Sequence, residues 1–440
     1  KPFTIQIIVD NPLRDLTADV LLACHLANEK CRVVLSPFNN SPFETFRFSP
    51  DYLLVNCVRK TNDVFLDRVR KSGIPFGALD TEGGVFVKME DEGGKPNFIK
   101  TLSQNEKVLN GLEDYFVWGR SLFDYLHQHG PFLSSSLRLT GTPRTDVFHS
   151  SWTGEKPERT IVLINTSFTL VNPKYRSSKE EAESLINDFG FNRTQVYEAL
   201  EKQENLIKEF LDTIDELVQR FPEQVFVLRP HPFEGLDIYT DKFNGLKNIK
   251  VSSENTVDYW LRRSKALVHF ECSTALEAAL LGIPAFSLKQ FRDLRPIEAV
   301  SAVTNYCESR QDLFNKIELC ILDRFQHPPA FHSQVHQVIE SVYFSNDGLA
   351  SQRITAQILK RRNLPKEAHT SVVFFWWLFY LLTNTAKLAL GRTLVKESKR
   401  FNAKNCLGIL EYFKQADMVF FSDINIIQRG CSVILEKRLQ

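Results

Sequence analysis

The chain has 440 residues, of which 43% are hydrophobic and 24% charged, a composition typical of a folded globular protein with two or three domains. Its formal net charge of +1 argues against a general nucleic-acid binder, which would carry a surplus of basic residues. The eight cysteines are scattered, without a Cys-x-x-Cys pair or a zinc-like Cys/His spacing, so we expect reduced thiols in a cytoplasmic protein.

Residues 1–150 alternate predicted strands and helices, which is typical of a parallel sheet with helices on both faces. The predicted strands span residues 4–9, 32–35, 52–55, 75–79, 116–118 and 137–140. This part is Rossmann-like, but it has no Gly-x-Gly-x-x-Gly sequence, so a dinucleotide site is not supported. Gly141–Arg144 and the polar run Ser150–Arg159 interrupt the alternation, and we place a domain hinge there.

A second alternating series occupies residues 151–340. Its predicted strands span residues 160–164, 225–228, 249–251, 266–270 and 285–288, and a long helix is predicted at 193–220. Two doubly wound halves joined by one hinge predict an α/β fold in which the carboxyl ends of the strands form a cleft. We expect both domains to contribute to a site there.

From about Gly348 the alternation stops, and residues 341–440 are predicted to form a helical extension. Within it, Val372–Leu382 is an uninterrupted apolar run of eleven residues, about half of what a bilayer-spanning helix requires. We favour a helix buried against the first domain. The alternative is a peripheral contact with the inner face of the cytoplasmic membrane, helped by the basic residues that follow. These are Lys387, Arg392, Lys396, Lys399 and Arg400.

Two polar motifs follow predicted strands of the second half. Arg229–Pro232 reads Arg-Pro-His-Pro, and Glu271–Glu277 opens a predicted helix, where its Thr-x-x-Glu spacing fits a capping box. Free N–H groups at a helix start, the hydroxyls of Ser273 and Thr274, and a donor from His231 would suit a phosphate group. Alternatively, the prolines only stiffen a turn and the hydroxyls only cap the helix.

Two Rossmann-like halves, Gly141-Thr-Pro-Arg-Thr-Asp146, Arg-Pro-His-Pro, and Ser-Thr-x-x-Glu before Gly282-Ile-Pro284 together resemble GT-B glycosyltransferases. More narrowly, they are similar to bacterial surface-carbohydrate-biosynthesis proteins, whose relatives include transferases of CMP-linked 2-keto sugar acids such as 3-deoxy-manno-octulosonic acid (Kdo). The resemblance covers residues 1 to about 340. It implies a GT-B transferase that moves a Kdo-type sugar from CMP to a bacterial surface glycan, such as lipopolysaccharide or capsule.

In such enzymes a histidine and a Ser/Thr pair hold the donor phosphate, and a glutamate can hold the ribose. The resemblance therefore places His231, Ser273 and Thr274 on phosphate, and Glu277 on ribose. A helix dipole and a histidine can neutralise the departing phosphate, and the sequence contains no Asp-x-Asp motif for a metal ion. We expect a metal-independent enzyme that needs no cofactor beyond its CMP-sugar donor.

The catalytic carboxylate is expected from the first domain. Gly77–Gly84 follows a predicted strand, corresponds in position to an acidic, glycine-containing loop of the resembling enzymes, and carries two candidates. Asp80 is the first candidate and Glu82 the second, whereas the alternative is a surface turn that Asp80 caps. The carboxylate would act as a base in an inverting enzyme and could act as a nucleophile in a retaining one.

Two further side chains are weaker candidates for binding the substrate, and Arg229 is a further candidate for binding the donor. Asn11 and Arg14 follow the first strand, and Arg229 follows a strand of the second half; the arginines suit a phosphate or a sugar carboxylate, although ordinary ion pairs explain them equally well. The donor could instead be a CDP-linked polyol or a UDP-sugar, since the same motifs suit any nucleotide phosphate. A third interpretation is a non-catalytic assembly protein that keeps the GT-B frame.

Overall fold

The computed structural model describes residues 1–81, 102–152, 154, 157–187, 191–292, 297–364 and 368–438. These residues form two compact units. The first unit contains the described residues up to 154 together with those from Ile339 onward, and the second contains residues 157–338. The C-terminal extension therefore returns to the N-terminal unit.

The first unit is built on an eight-stranded sheet in the order β13-β14-β2-β1-β3-β4-β5-β6. The strands are β1 Thr4–Val9, β2 Arg32–Pro37, β3 Tyr52–Val55, β4 Phe76–Leu79, β5 Leu112–Val117, β6 Leu137–Leu139, β13 Ile424–Arg429 and β14 Ser432–Lys437. Strands β1 to β6 pair in parallel, and their apolar side chains are buried, as expected for a sheet covered on both faces.

Helices complete this unit. Their bounds are Pro12–Asn28, Ser41–Phe48, Asp63–Lys71, Glu106–Asn110, Arg120–His129, Pro143–Asp146, Ala350–Leu359, Thr370–Ala389 and Ala403–Lys414, and the helix Pro329–Tyr343 contains the boundary between the units. The helix Pro12–Asn28 begins with proline at its first position, where no N–H is needed, and Asn11 caps it by accepting a hydrogen bond from the Leu13 N–H at 3.1 Å.

The second unit has a six-stranded parallel sheet in the order β12-β11-β10-β7-β8-β9. Its strands are β7 Ile161–Asn165, β8 Val225–Arg229, β9 Ile249–Val251, β10 Ser264–His269, β11 Ala285–Leu288 and β12 Thr304–Cys307. Its helices are Ser178–Asn187, Arg193–Arg220, Asp237–Lys242, Val257–Leu261, Thr274–Leu280, Lys289–Arg292, Glu298–Ala302 and Arg310–Ile321. Both predicted strand-helix series are therefore present.

The expectation of an all-helical extension is wrong, because β13 and β14 form an antiparallel hairpin. Strand β14 also pairs antiparallel with β2 and so extends the sheet of the first unit. The hairpin turns at Gly430, whose φ of 65° lies in the left-handed region that glycine adopts at little cost. The strands read Ile-Asn-Ile-Ile-Gln-Arg and Ser-Val-Ile-Leu-Glu-Lys, which are short apolar stretches without a clear period-two alternation, so the pattern did not predict them.

The preference for a buried Val372–Leu382 helix is also wrong. The run belongs to a longer helix, Thr370–Ala389, in which only Val373 and Asn384 are buried. We call this element the apolar helix; Phe375 is 59% exposed in it, and Leu382 is 62% exposed. Among the described residues it is the one helix long and apolar enough, by length and composition, to cross a membrane.

The extension is joined to the first unit by a buried aspartate. Asp146 accepts hydrogen bonds from the backbone N–H groups of Ala350 at 3.0 Å and Ser351 at 2.6 Å, at the start of the helix Ala350–Leu359. The Trp152 indole N–H donates to the carbonyl of Gly348 at 2.7 Å, just before that helix. The aspartate of the Gly-Thr-Pro-Arg-Thr-Asp motif thus satisfies helix N–H groups that would otherwise be unpaired.

Replacing Asp146 with alanine should lower the free energy of unfolding by about 2 kcal/mol, because two buried N–H groups lose their acceptor. Asp347→Ala is the comparison, since Asp347 accepts from the Leu349 N–H and pairs with Arg353 at a partly exposed site next to the same helix. Its loss should be below about 1 kcal/mol. Urea denaturation measures both variants, and equal losses would contradict the structural role of Asp146.

Candidate functional site

Three adjacent strands of the second unit end side by side. In the parallel register His269 of β10 pairs with Asn165 of β7, and Asn165 pairs with Arg229 of β8. Neighbouring strands lie about 4.8 Å apart, so these three residues form a row about 10 Å long. We call the residues that end the three strands and follow them, 165–168, 229–234 and 269–274, the polar edge. It unites both sequence motifs on one side of the sheet.

Two polar side chains of this edge are buried without full hydrogen bonding. Arg229 is 7% exposed, and its buried Nε has no hydrogen-bond partner among the described residues. Asn165 is 2% exposed; its Nδ2 donates to the Thr274 hydroxyl at 3.1 Å, while its Oδ1 has no hydrogen-bond partner among the described residues. Buried polar groups are rarely left unpaired, so both atoms indicate a place where a ligand binds.

The charge balance around Arg229 also favours an anion. Burial lowers the pKa of the Arg229 guanidinium, and the nearby carboxylate of Glu277 opposes that shift. Glu277 is itself buried in the helix Thr274–Leu280. A guanidinium removed from water without a hydrogen-bonded partner is costly, and a phosphate group would supply two acceptors in the right geometry.

The predicted capping box does not form. The N-cap of the helix Thr274–Leu280 is Ser273, and it makes no side-chain cap hydrogen bond. Thr274 is the first helical residue rather than the cap, and its hydroxyl contacts Asn165 and lies 3.3 Å from Cys272 Sγ. Thr274 is buried and Ser273 is exposed, so the two hydroxyls differ in their access to a ligand.

His231 lies two residues beyond Arg229 and is half-buried. Its Nδ1 accepts a hydrogen bond from the Phe233 N–H at 3.3 Å, and the two rings have centroids 5.5 Å apart. Prolines flank it on both sides, which restricts the backbone as the sequence predicted. The structure thus places His231 on the polar edge with a restrained ring.

The sequence did not identify Glu234 as part of this edge. Its buried carboxylate accepts hydrogen bonds from the Thr166 hydroxyl at 2.7 Å, the Phe168 N–H at 2.8 Å and the Tyr239 hydroxyl. Burial raises the pKa of Glu234 to about 7. Because it joins the loop after β7 to the loop after β8, Glu234 fixes how the two loops lie beside each other.

His269 is a second residue that sequence reasoning missed, although an imidazole within the apolar run Ala266–Phe270 was a signal. It is fully buried; its Nδ1 accepts from the Cys272 N–H at 3.2 Å and its Nε2 lies 3.1 Å from the Thr304 hydroxyl. The Thr304 hydroxyl donates to a backbone carbonyl, so Nε2 carries the proton and the ring is neutral. Burial lowers the pKa of His269 to about 3.

In the first unit, Asp80 ends β4 and is buried in an ion pair. Arg59 approaches it with both terminal nitrogens, at 3.0 Å to Oδ1 and 2.9 Å to Oδ2, and the Tyr115 hydroxyl donates to Oδ2 at 3.0 Å. Burial, reinforced by the Asp80 charge, raises the pKa of Tyr115 well above its usual value. Glu82, the second candidate, lies outside the described residues.

A different carboxylate, Asp19, faces the same place. Asp19 and Asp80 line a cavity of about 30 Å³, together with Asn56, Thr142 and Arg144. Asp19 is 9% exposed and makes no hydrogen bond or ion pair with any described residue. Burial, reinforced by the neighbouring Asp15 charge, raises the pKa of Asp19 well above its usual range. A carboxylate on the buried face of the helix Pro12–Asn28 was a signal that sequence reasoning passed over.

The weaker candidates of the first unit are engaged in local structure. Arg14 pairs with Asp10 and Asp15, at 2.9 Å in each case. Asn11 is buried and caps the helix Pro12–Asn28, while its own N–H donates to Asp15 at 3.0 Å. These contacts explain both residues as supports of the first helical turn, and a substrate contact stays a prediction for them.

In the described ranges, no group of three or more His, Cys, Asp or Glu side chains is placed to hold a metal ion. The expected independence from metal ions stays a prediction. The cysteines of the chain are all free thiols in the structure, and burial raises the pKa of several of them, including Cys24 and Cys320.

No protein-family profile matches the sequence, and no curated protein does. Among solved structures, the wall teichoic acid polymerase TagF aligns with a TM-score of 0.52 and 14% identity, over 83% of this chain and 91% of that chain. UDP-GlcNAc 2-epimerase from Methanocaldococcus jannaschii, in complex with UDP-GlcNAc and UDP, aligns with a TM-score of 0.47 and 14% identity, over 81% and 99%. The similarity to TagF confirms the predicted α/β GT-B fold class with two Rossmann-like units, and at this identity it shows the fold alone.

Acid should destabilise the protein through His269. Below its ordinary pKa of 6.5 the imidazole takes up a proton in the unfolded chain, whereas the buried ring stays neutral down to about pH 3. Folding therefore loses about 1.4 kcal/mol per pH unit below 6.5, or about 2 kcal/mol at pH 5. His269→Gln should lose about 2 kcal/mol less than wild type between pH 7 and pH 5 in urea denaturation. Parallel losses in the two proteins would mean that His269 is protonated in the fold.

Proposed function

We propose that the protein is a glycosyltransferase that takes its sugar from a nucleotide-linked donor, with the polar edge of the second unit holding the donor phosphate. One observation carries this proposal: Arg229 is buried at a strand end, and its Nε has no hydrogen-bond partner among the described residues. A phosphate needs such a bidentate donor, and parallel α/β sheets bind their ligands at strand carboxyl ends. The GT-B fold is the structural setting in which this reaction is expected.

The proposal gives the other residues of the edge separate roles. His231, Ser273 and Thr274 donate to the phosphate, as the sequence resemblance implies, with the exposed Ser273 hydroxyl more accessible than that of Thr274. Glu277 lies beside Arg229 and orients its guanidinium, and a ribose contact is its alternative role. The Oδ1 of Asn165, which has no hydrogen-bond partner among the described residues, accepts a hydrogen bond from a hydroxyl group of the nucleotide-sugar donor.

For the donor itself we propose a CMP-linked 2-keto sugar acid of the Kdo type, delivered to a bacterial surface glycan. This choice is supported only by the motif resemblance of the sequence. A CDP-linked polyol is the second candidate, because one TagF crystal was soaked with CDPG. A non-catalytic assembly protein is the alternative from another class, and it predicts that neither nucleotide binding nor turnover depends on the polar edge.

The structure favours different tasks for the two aspartates of the first unit. Arg59 and Tyr115 already occupy the oxygens of Asp80 through an ion pair and a hydrogen bond. Asp19 makes no hydrogen bond or ion pair with a described residue and lines the same small cavity, so its oxygens can accept a proton from a hydroxyl group. We therefore propose that Asp19 is the general base. Asp80, the candidate from the sequence, is the alternative against which Asp19 is tested.

Arg229→Gln should weaken binding of CMP by about 10- to 100-fold, because a charge-assisted pair of hydrogen bonds is lost. His231→Ala should weaken it less, by about 10-fold. Arg220→Gln removes an exposed arginine from the same unit and serves as the control. Isothermal titration with CMP, CDP and UDP ranks the donors. If the folded wild type binds none of the three nucleotides, the proposed function fails.

Asp19→Asn should lower kcat by about 10²- to 10⁴-fold with little change in KM, since an amide accepts no proton. Release of CMP from a CMP-linked 2-keto sugar acid, measured in EDTA, gives both constants and also tests metal independence. Asp80→Asn should mainly lower the melting temperature, because it breaks the ion pair with Arg59. Should Asp80→Asn lose turnover at an unchanged melting temperature while Asp19→Asn stays active, Asp80 is the catalytic carboxylate.

A further inference from the structure

One face of the apolar helix is uncovered by the described residues. Phe374, Phe375, Leu378, Phe379 and Leu382 are all exposed large apolar side chains. At 100° per residue these positions fall within an arc of about 140° on one side of the helix. Soluble proteins rarely expose so many adjoining apolar side chains, and such patches mark contacts with other molecules or with membranes.

The opposite face of the same helix is attached to the first unit. The Tyr380 ring stacks on Phe46 with centroids 5.7 Å apart, and the Arg68 guanidinium lies 4.3 Å above the Trp376 ring. Further along, Asn384 donates to the side chain of Asn40 at 2.9 Å. Because the helix is fastened over several turns, it lies along the surface of its unit, as an interfacial helix does and a bilayer-spanning helix does not.

A cavity of about 670 Å³ opens at the C-terminal end of this helix. We call it the basic cavity; its lining includes Leu388, Arg392, Leu394, Arg400, Asn402 and Asn405. The volume lies within the range of about 300 to 1,000 Å³ found for small-molecule sites. It is also continuous in sequence with the exposed apolar face, since Leu388 belongs to the apolar helix.

The basic cavity has the charge needed for a phosphate group. Arg392 and Arg400 form no ion pair with the described residues, and Arg400 uses only its Nε, which donates to the Val395 carbonyl at 3.1 Å. The helix Ala403–Lys414 begins at the cavity with Asn402 as its N-cap, so its dipole adds positive potential. Residues 387–400 contain five basic side chains and a single acidic one.

We propose that the basic cavity binds the phosphate of an anionic membrane lipid headgroup while the exposed face of the apolar helix lies among the acyl chains. The chemistry of each part matches one part of a lipid: guanidinium groups and a helix N-terminus match the phosphate, and aromatic and leucine side chains match the interface. The basic cavity and the exposed apolar face adjoin each other, so a single lipid molecule can contact both. This inference is independent of the proposed transferase activity, since it requires neither donor nor turnover.

Flotation with vesicles of phosphatidylcholine containing 20 mol% phosphatidylglycerol tests the full-length protein, with pure phosphatidylcholine vesicles for comparison. Arg392→Gln with Arg400→Gln should weaken binding to the anionic vesicles by about 10- to 30-fold. Phe375→Ser with Leu382→Ser should weaken it by more than about 100-fold. Matched controls in the second unit are Lys202→Gln with Lys208→Gln for charge, and Leu322→Ser for apolar exposure; all should bind as wild type. Melting temperatures confirm that each variant is folded.

Four outcomes would overturn the inference. Absence of wild-type flotation, or flotation that the arginine pair does not affect, would remove the headgroup from the cavity. Thermal stabilisation by inorganic phosphate that depends on Arg392 and Arg400, without vesicle binding, would assign the cavity to a soluble anion. Light scattering that shows a dimer dissociated by Phe375→Ser with Leu382→Ser, again without vesicle binding, would assign the exposed face to a second copy of the chain.

Discussion

Parallel pairing of β10, β7 and β8 is the constraint on which the polar edge depends. Strands that run in one direction must leave the sheet on the same side, so the loops carrying Arg229 and Thr274 flank the residue that ends β7. Asn165 therefore contacts Thr274 although they are far apart in sequence. Glu234 then joins the loops after β7 and β8 by buried hydrogen bonds that depend on this strand order, and His269 holds the loop after β10 through the Cys272 N–H.

This constraint also explains how much of the site could be predicted. The strands and their sequence along the chain could be predicted from apolar runs such as Val225–Arg229. The motifs that follow the strands were visible as short polar segments. Side-chain partners were not visible, because they come from residues 35 to 109 positions away, as for His269 with Thr304 and Asn165 with Thr274. Local patterns describe an element and its ends but not the neighbour across the sheet.

The failures in the extension have the same origin. The two hairpin strands have only six residues each and carry short apolar stretches without clear alternation, a signal that a helical interpretation of the surroundings outweighs. For the apolar helix, composition indicated burial, since apolar helices in globular proteins usually pack on all sides. Only tertiary contacts show that its partner covers one face, through Phe46 and Arg68, and leaves Phe375 and Leu382 uncovered.

Asp19 and Asp80 show why residue type and position do not determine chemistry. Both are buried carboxylates beside one small cavity, but Arg59 and Tyr115 satisfy Asp80, whereas Asp19 has no such partner among the described residues. Arg59 and Tyr115 occupy the oxygens of Asp80, whereas burial and the neighbouring Asp15 charge raise the pKa of Asp19. The same reasoning applies to Arg229. Burying its charge without a bound anion costs free energy, and this is the physical reason to expect an anionic ligand there. At these two sites, burial without a hydrogen-bond partner at a strand end or a cavity distinguishes Arg229 and Asp19 from the paired Asp80.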